Sequence, residues 1–109
     1  MSPKTSTPRR HVRVEYRVRE DVDLGEVKRE IARFVDAIRA DSADYEYTSY
    51  QDVKDDRHFV HFGDFASDAV AGLQARPFFG HFTTFLGGCC RVGPEATLLT
   101  MVATARTSA

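Results

Sequence analysis

The run His58-Phe-Val-His-Phe-Gly-Asp-Phe65 limits the possible folds more than any other segment. Successive side chains of a strand point to opposite sides. As a strand, the run therefore sets Phe59, His61 and Phe65 on one face and Val60 and Phe62 on the other. A strand that is apolar on both faces has to be covered on both. Helices of the same chain can cover one side. The other side needs a second sheet, for which a chain of 109 residues has no strands to spare. The pattern predicts a homodimer in which two sheets shield each other.

The neighbouring segments supply the rest of one layered unit. His11–Val18 alternates strictly, with Val12, Val14, Tyr16 and Val18 on one face and Arg13, Glu15 and Arg17 on the other, which predicts a strand. Asp23 followed by Glu26 resembles a capping box. From there Leu24, Val27, Ile31, Phe34, Val35 and Ile38 recur at helical spacing to about Arg39, and Glu26–Arg29 and Glu30–Arg33 form i,i+3 pairs on the outer face. Tyr45–Asp52 predicts a second strand, joined to His58–Phe65 through the polar hairpin Lys54–Arg57. Ser67 is expected to cap a short helix through Ala75. Pro77 opens a second piece carrying Phe78, Phe79, Phe82, Phe85 and Leu86, with Gly87-Gly88 as its expected stop. Ala96–Thr104 reads as the last strand, apolar on both faces. The order β-α-β-β-α-β defines an α+β, ferredoxin-like arrangement with an antiparallel sheet. Residues 1–10 are expected to form a disordered tail and residues 11–109 a single domain.

Charge and cysteine usage exclude several functions. Fifteen Lys and Arg face 16 Asp and Glu, a net charge of −1. Residues 1–20 hold six basic and two acidic side chains, and residues 41–68 hold eight acidic and two basic. With no net positive charge and no base-reading motif, nucleic acid is not an expected partner. The two segments are expected to complement each other, within the fold or across a subunit contact. No apolar run reaches the ~18 residues of a membrane span, and residues 1–10 lack the apolar centre of a secretory signal, so the expected location is the cytoplasm. The only cysteines, Cys89 and Cys90, are adjacent and close no loop. They read as two small thiols in a reducing compartment, or as a strained vicinal redox pair.

The segment Phe59–Phe79, FVHFGDFASDAVAGLQARPFF, resembles the antibiotic-biosynthesis monooxygenase-like family of the dimeric α+β barrel superfamily, in which an aromatic third strand runs into a helix ending in a short Pro-x-Phe segment. The resemblance covers about residues 11–104 and rests on apolar pattern and spacing. It implies a dimeric α+β barrel and oxidation of quinols, anthrones or other electron-rich aromatics with neither metal nor flavin. The family's acidic residue on strand three would fall near Gly63, and its His after the helix-ending Pro is Phe78 here. The chain contains no Asn and no Trp. Haem degradation by the family's Asn/Trp/His arrangement is therefore excluded, and the Asn/Trp form of anthrone oxygenation has no support.

Cofactor-free oxygenation needs an apolar pocket for a flat phenol, a base that raises the population of its anion, and a polar group to hold the oxidised oxygen. Histidine suits the base role because its unperturbed pKa is about 6.5. Of four histidines, His11 and His58 are expected at exposed strand ends, leaving His61 and His81 as the candidate catalytic residues. Each also has a purely structural reading: His61 as a half-buried histidine satisfied by a neighbouring strand or subunit, His81 as a polar helix-face residue. His58-x-x-His61 places the two rings on opposite faces of a strand with no third ligand, so no metal site is expected. Tyr16, Tyr47, Phe59, Phe65, Phe78, Phe79 and Phe82 are the expected substrate-binding residues, with hydrophobic packing as their alternative role. Arg13 and Arg17 share a face of the first strand, where they pair with acidic residues or hold an anionic substrate.

Three functions fit: a cofactor-independent monooxygenase acting on a small aromatic, quinol or polyketide-like substrate; a non-catalytic small-ligand-binding dimer; or a polyketide cyclase or isomerase. The fold by itself does not choose among them.

Overall fold

The computed structural model describes residues 9–41 and 45–105. Its elements are β1 (Arg9–Val18), α1 (Leu24–Asp41), β2 (Tyr45–Gln51), β3 (His58–Ala66), a 3₁₀ turn (Ser67–Ala69), α2 (Val70–Gln74), α3 (Pro77–Cys89) and β4 (Cys90–Leu99). The strands form one antiparallel sheet in the order β2-β3-β1-β4, and the helices lie on one side of it. This is the predicted ferredoxin-like α+β fold.

The alternation of β1 decides which side is covered. Tyr16 and Val18 are buried on the helical side, with Val12 and Val14 packed around them. Helix α1 presents Val27, Ile31, Phe34 and Ile38 to the same core. Its N-terminus is held by Asp23, whose Oδ2 accepts from the Glu26 backbone N–H at 3.2 Å. Arg33 pairs with Glu30 as the spacing predicts, whereas Arg29 turns back to Asp23 instead of Glu26. Phe34 is central, stacking on Phe82 of α3 with ring centroids 4.3 Å apart and planes 12° from parallel. Removing a buried ring of this kind costs about 3–5 kcal/mol.

Four local expectations are corrected. Arg9 and Arg10, assigned to the tail, pair with Ala66 and Phe65 and begin β1; residues 1–8 lie outside the described residues. Ser67 caps nothing: Ala66 is the N-cap residue of a 3₁₀ turn without a side-chain cap bond, and the expected short helix is divided into this turn and α2. Gly87 and Gly88 do not stop α3, which continues to Cys89. Each interior glycine costs a helix roughly 1 kcal/mol, and burial of Leu86 and Cys89 on the same turn offsets it. The last strand is Cys90–Leu99, not Ala96–Thr104. Its position follows from its partner: the chain leaves α3 directly opposite Val18 and reaches Leu99 opposite His11. A bulge lies midway, where Gly93 at φ +89 lets β4 pass β1; a Cβ there would stand 2.7 Å from the Glu15 carbonyl oxygen. Residues 100–105 form no regular element.

The basic and acidic segments meet within the chain. Arg9 donates to Asp64 at 2.8 Å, and Arg17 pairs with Asp55 at 2.6 Å. Arg13 donates to Glu15 on its own strand at 3.0 Å.

Candidate functional site

Register builds the polar centre of the inner sheet face. His61 pairs across the sheet with Val14 on one side and Ser49 on the other. Tyr16, opposite Phe59, and Tyr47, opposite Gly63, are its diagonal neighbours, and such diagonals are within reach of aromatic side chains. The Tyr16 hydroxyl lies 2.8 Å from His61 Nε2, and the Tyr47 hydroxyl 2.9 Å from Nδ1. His61 is fully buried and Tyr16 nearly so. Phe82 closes the ring plane from the helix layer, with centroids 6.0 Å apart.

This dry setting fixes the protonation states. Burial lowers the His61 pKa to about 4, so the imidazole is neutral near pH 7. Burial also raises both tyrosines well above the usual phenol range. A neutral imidazole has one N–H and one bare nitrogen. One tyrosine therefore donates to it and the other accepts from it, and the accepting tyrosine keeps a free O–H. Tyr16, His61 and Tyr47 form one chain in which the tautomer of the middle ring sets the role of both ends.

A cavity of about 300 Å³ lies beside this chain, between sheet and helices. Val12 and Val14 of β1 and Ala96 and Leu98 of β4 form its floor, and Phe34, Leu73, Phe79, Phe82 and Leu86 its roof. Phe65 and Tyr47 close the side toward β2 and β3. Tyr47 thus belongs both to the cavity wall and to the hydrogen-bonded chain. His61 does not line the cavity; its hydrogen-bonded link to the cavity wall is Tyr47.

Of the expected substrate-binding residues, Tyr47, Phe65, Phe79 and Phe82 meet at the cavity. Tyr16 and Phe59 do not, being stacked on each other in the core with centroids 5.6 Å apart. Phe78 packs against Phe34 at 6.0 Å. His81 stands 59% exposed on the outside of α3, 3.1 Å from Glu30, and contributes nothing to the cavity. The floor residues Val12 and Val14 were visible in the alternation of β1, and Arg10, two residues before Val12 and also at the cavity, continues it.

His58 is not at a free strand end. It is half-buried on the outer sheet face, with Nδ1 2.9 Å from Asp52 and Nε2 2.6 Å from Glu15. These two carboxylates raise its pKa, and the Asp52 carboxyl is lowered in turn, first through its bond to His58. Both cysteines are free; burial raises the two thiols, Cys90 to about 12, which makes them poor nucleophiles. Among the described residues no group of three His, Cys, Asp or Glu side chains is placed to hold a metal ion, and no helix is long and apolar enough to cross a membrane.

No family model and no curated protein matches the sequence. Solved structures do match the fold. A crystal structure of an antibiotic biosynthesis monooxygenase superposes with a TM-score of 0.77, covering 86% of this chain and 99% of that one at 18% identity. Rv0793 from Mycobacterium tuberculosis gives 0.78 over 91% of this chain and 100% of its own, at 16% identity. SnoaB, a cofactor-independent oxygenase from Streptomyces nogalater, gives 0.73 over 88% and 95%, at 20% identity. The chain has the fold of the antibiotic biosynthesis monooxygenases.

Proposed function

We propose that the protein is a cofactor-independent monooxygenase that oxidises a flat aromatic, quinol or polyketide-like molecule held in the cavity. The observation that carries this reading is the position of Tyr47, in the wall of an apolar cavity and hydrogen-bonded to a neutral, buried His61. The fold shared with SnoaB, described as a cofactor-independent oxygenase, supports it.

In this reading a substrate hydroxyl donates to the Tyr47 oxygen while Tyr47 donates to His61 Nδ1. Transfer of both protons leaves a substrate anion and an imidazolium. The cost is set by the low basicity of the ring. Moving a proton from a phenol of pKa about 10 to an imidazole near 4 takes about 8 kcal/mol. A turnover of about one per second allows a barrier of roughly 17 kcal/mol, so the step is accessible and the imidazolium transient. The anion passes electrons to dioxygen and forms a C–O bond, giving a peroxide anion. His61 returns its proton through Tyr47 to the peroxide, which loses water and leaves a carbonyl. The sum is RH₂ + O₂ → R=O + H₂O, with the substrate as sole reductant.

The test is oxygen uptake by chelator-treated protein with menadiol or 1,8-dihydroxyanthrone, corrected for uptake in buffer. One O₂ per substrate with water as co-product is expected, falling at least about tenfold in Tyr47→Phe. Thermal stabilisation by these compounds with uptake no faster than buffer would instead establish a binding module.

The same reading makes the outer sheet face a contact between two copies. Phe62, Tyr50 and Leu99 are 42%, 54% and 40% exposed there, and Arg13 Nε is buried with no hydrogen-bond partner among the described residues. A second sheet would cover the rings and offer Arg13 an acceptor. Light scattering at twice the chain mass is expected; a monomer at micromolar concentration rejects it.

A further inference from the structure

We infer that Arg10 makes the cavity selective for an aromatic ligand that carries an acidic group, such as a carboxylate, at the end nearest the start of β1. The inference rests on the reading of this cavity as a substrate site and adds the charge of the substrate.

Three observations converge on this residue. First, Arg10 stands on the inner face of β1 opposite Phe65 and is part of the cavity lining, whereas its neighbour Arg9 points to the other face and is bound to Asp64 at 2.8 Å. Second, among the described residues no Asp or Glu lines the cavity, and the guanidinium is the only formal charge in that lining. Third, other arginines of the described chain are used by the fold. Arg13, Arg17, Arg19, Arg29, Arg33, Arg39 and Arg76 have carboxylate partners, and Arg57 donates to the Arg19 and Val22 carbonyls. Arg10 and Arg91 have no such partner among the described residues, and of these two only Arg10 lines the apolar cavity.

An arginine presents up to five N–H donors in a planar fork that matches a carboxylate or phenolate. At the rim of an apolar cavity, water screens it less than on an open surface, while the aromatic body of the ligand is held by Val12, Val14, Phe79 and Phe82. Tyr47 and Arg10 would then hold the two ends of one flat molecule: the hydroxyl to be activated at one, a spectator anion at the other.

Isothermal titration with 2-naphthoate and with neutral 2-naphthamide, on the full chain and on Arg10→Gln, separates charge recognition from shape. Naphthoate should bind about fivefold more tightly than naphthamide. That ratio should fall to about one in Arg10→Gln and shrink between 0.05 and 0.5 M NaCl, while naphthamide binding stays unchanged. Equal affinities in the native chain, or a carboxylate preference that survives Arg10→Gln, would overturn the inference. Carboxylate-selective binding without oxygen uptake would sustain it and break the monooxygenase reading, so the two can fail separately.

Discussion

His58 and His61 lie three residues apart on β3 and live in opposite chemical worlds. His58 faces outward between two carboxylates, and its pKa is raised. His61 faces inward between two phenols, and burial brings its pKa to about 4. The backbone of one strand separates the two settings. On the outer face opposite charges favour the charged ring; on the inner face the lack of water favours the neutral one. Neutrality is what leaves a bare nitrogen for Tyr47, so the inner site works because it is dry.

The sharpest way to break this contrast is to remove the inner ring. His61→Leu keeps the volume but leaves two phenol hydroxyls without their partner, one of them in the core. Each unmatched buried hydroxyl costs about 1–3 kcal/mol, so urea unfolding should show a loss of roughly 2–6 kcal/mol. A loss below 1 kcal/mol would mean that water reaches the chain and that the inner face is wet.

Acid titration probes the same contrast next. Between about pH 6.5 and 4 the unfolded chain protonates His61 and the folded chain does not. The stability from this group is therefore full above 6.5 and drains away as pH falls toward 4, by on the order of 3 kcal/mol. Asp52 and Asp55, both lowered, add losses only below their ordinary value of 3.8. His58 has the opposite sign: its contribution is present below 6.5 and is lost as pH rises through its raised folded value. Denaturant midpoints from pH 4 to 8 should thus rise steeply up to about 6.5, and His61→Gln should flatten that limb alone.

A smaller effect is expected at Gly63. A Cβ there would meet two carbons of the Phe65 ring at 2.7 Å and Tyr47 Cδ1 at 3.1 Å. Gly63→Ala must push the Phe65 ring toward the cavity, at about 1–3 kcal/mol. It should weaken 2-naphthamide binding severalfold; unchanged affinity would show that Phe65 does not set the cavity wall.

That glycine also marks how far the sequence could be read. Alternation groups Tyr16 with Val12, Val14 and Val18, and His61 with Phe59 and Phe65, but on β3, apolar on both faces, it leaves open which face the helices cover; the structure puts His61 beneath them. Gly63, lacking a side chain, suggests open space beside His61, yet the Phe65 ring folds back over the gap, because side-chain direction along a strand is absent from a two-residue pattern. The Tyr16–His61–Tyr47 chain depends on the sheet order β2-β3-β1, which brings strands 45 residues apart into diagonal contact. His81 shares an aromatic segment but falls off the helical spacing of the buried Phe82 and Leu86, and it takes the polar-face place of its structural reading, 59% exposed. The apolar run Ala96–Thr104 points to a strand that starts six residues late, because the start of β4 is set by where α3 delivers the chain to β1.

The least effect is expected on the outer face. His58→Ala removes two ion pairs of a half-buried side chain at the sheet surface, and such surface pairs contribute under about 1 kcal/mol. The change should appear in low salt at pH 6 and shrink in 1 M NaCl, because screening shortens the reach of surface charges to about 3 Å. If a second copy covers this face, the pairs become buried, and breaking them would leave Glu15 and Asp52 as charges without a partner in a dry contact. The loss would then exceed 2 kcal/mol, depend on protein concentration and resist salt. One substitution measured at two salt and two protein concentrations therefore reports whether the outer sheet face is as wet as the charges on it imply, or as dry as the face behind it.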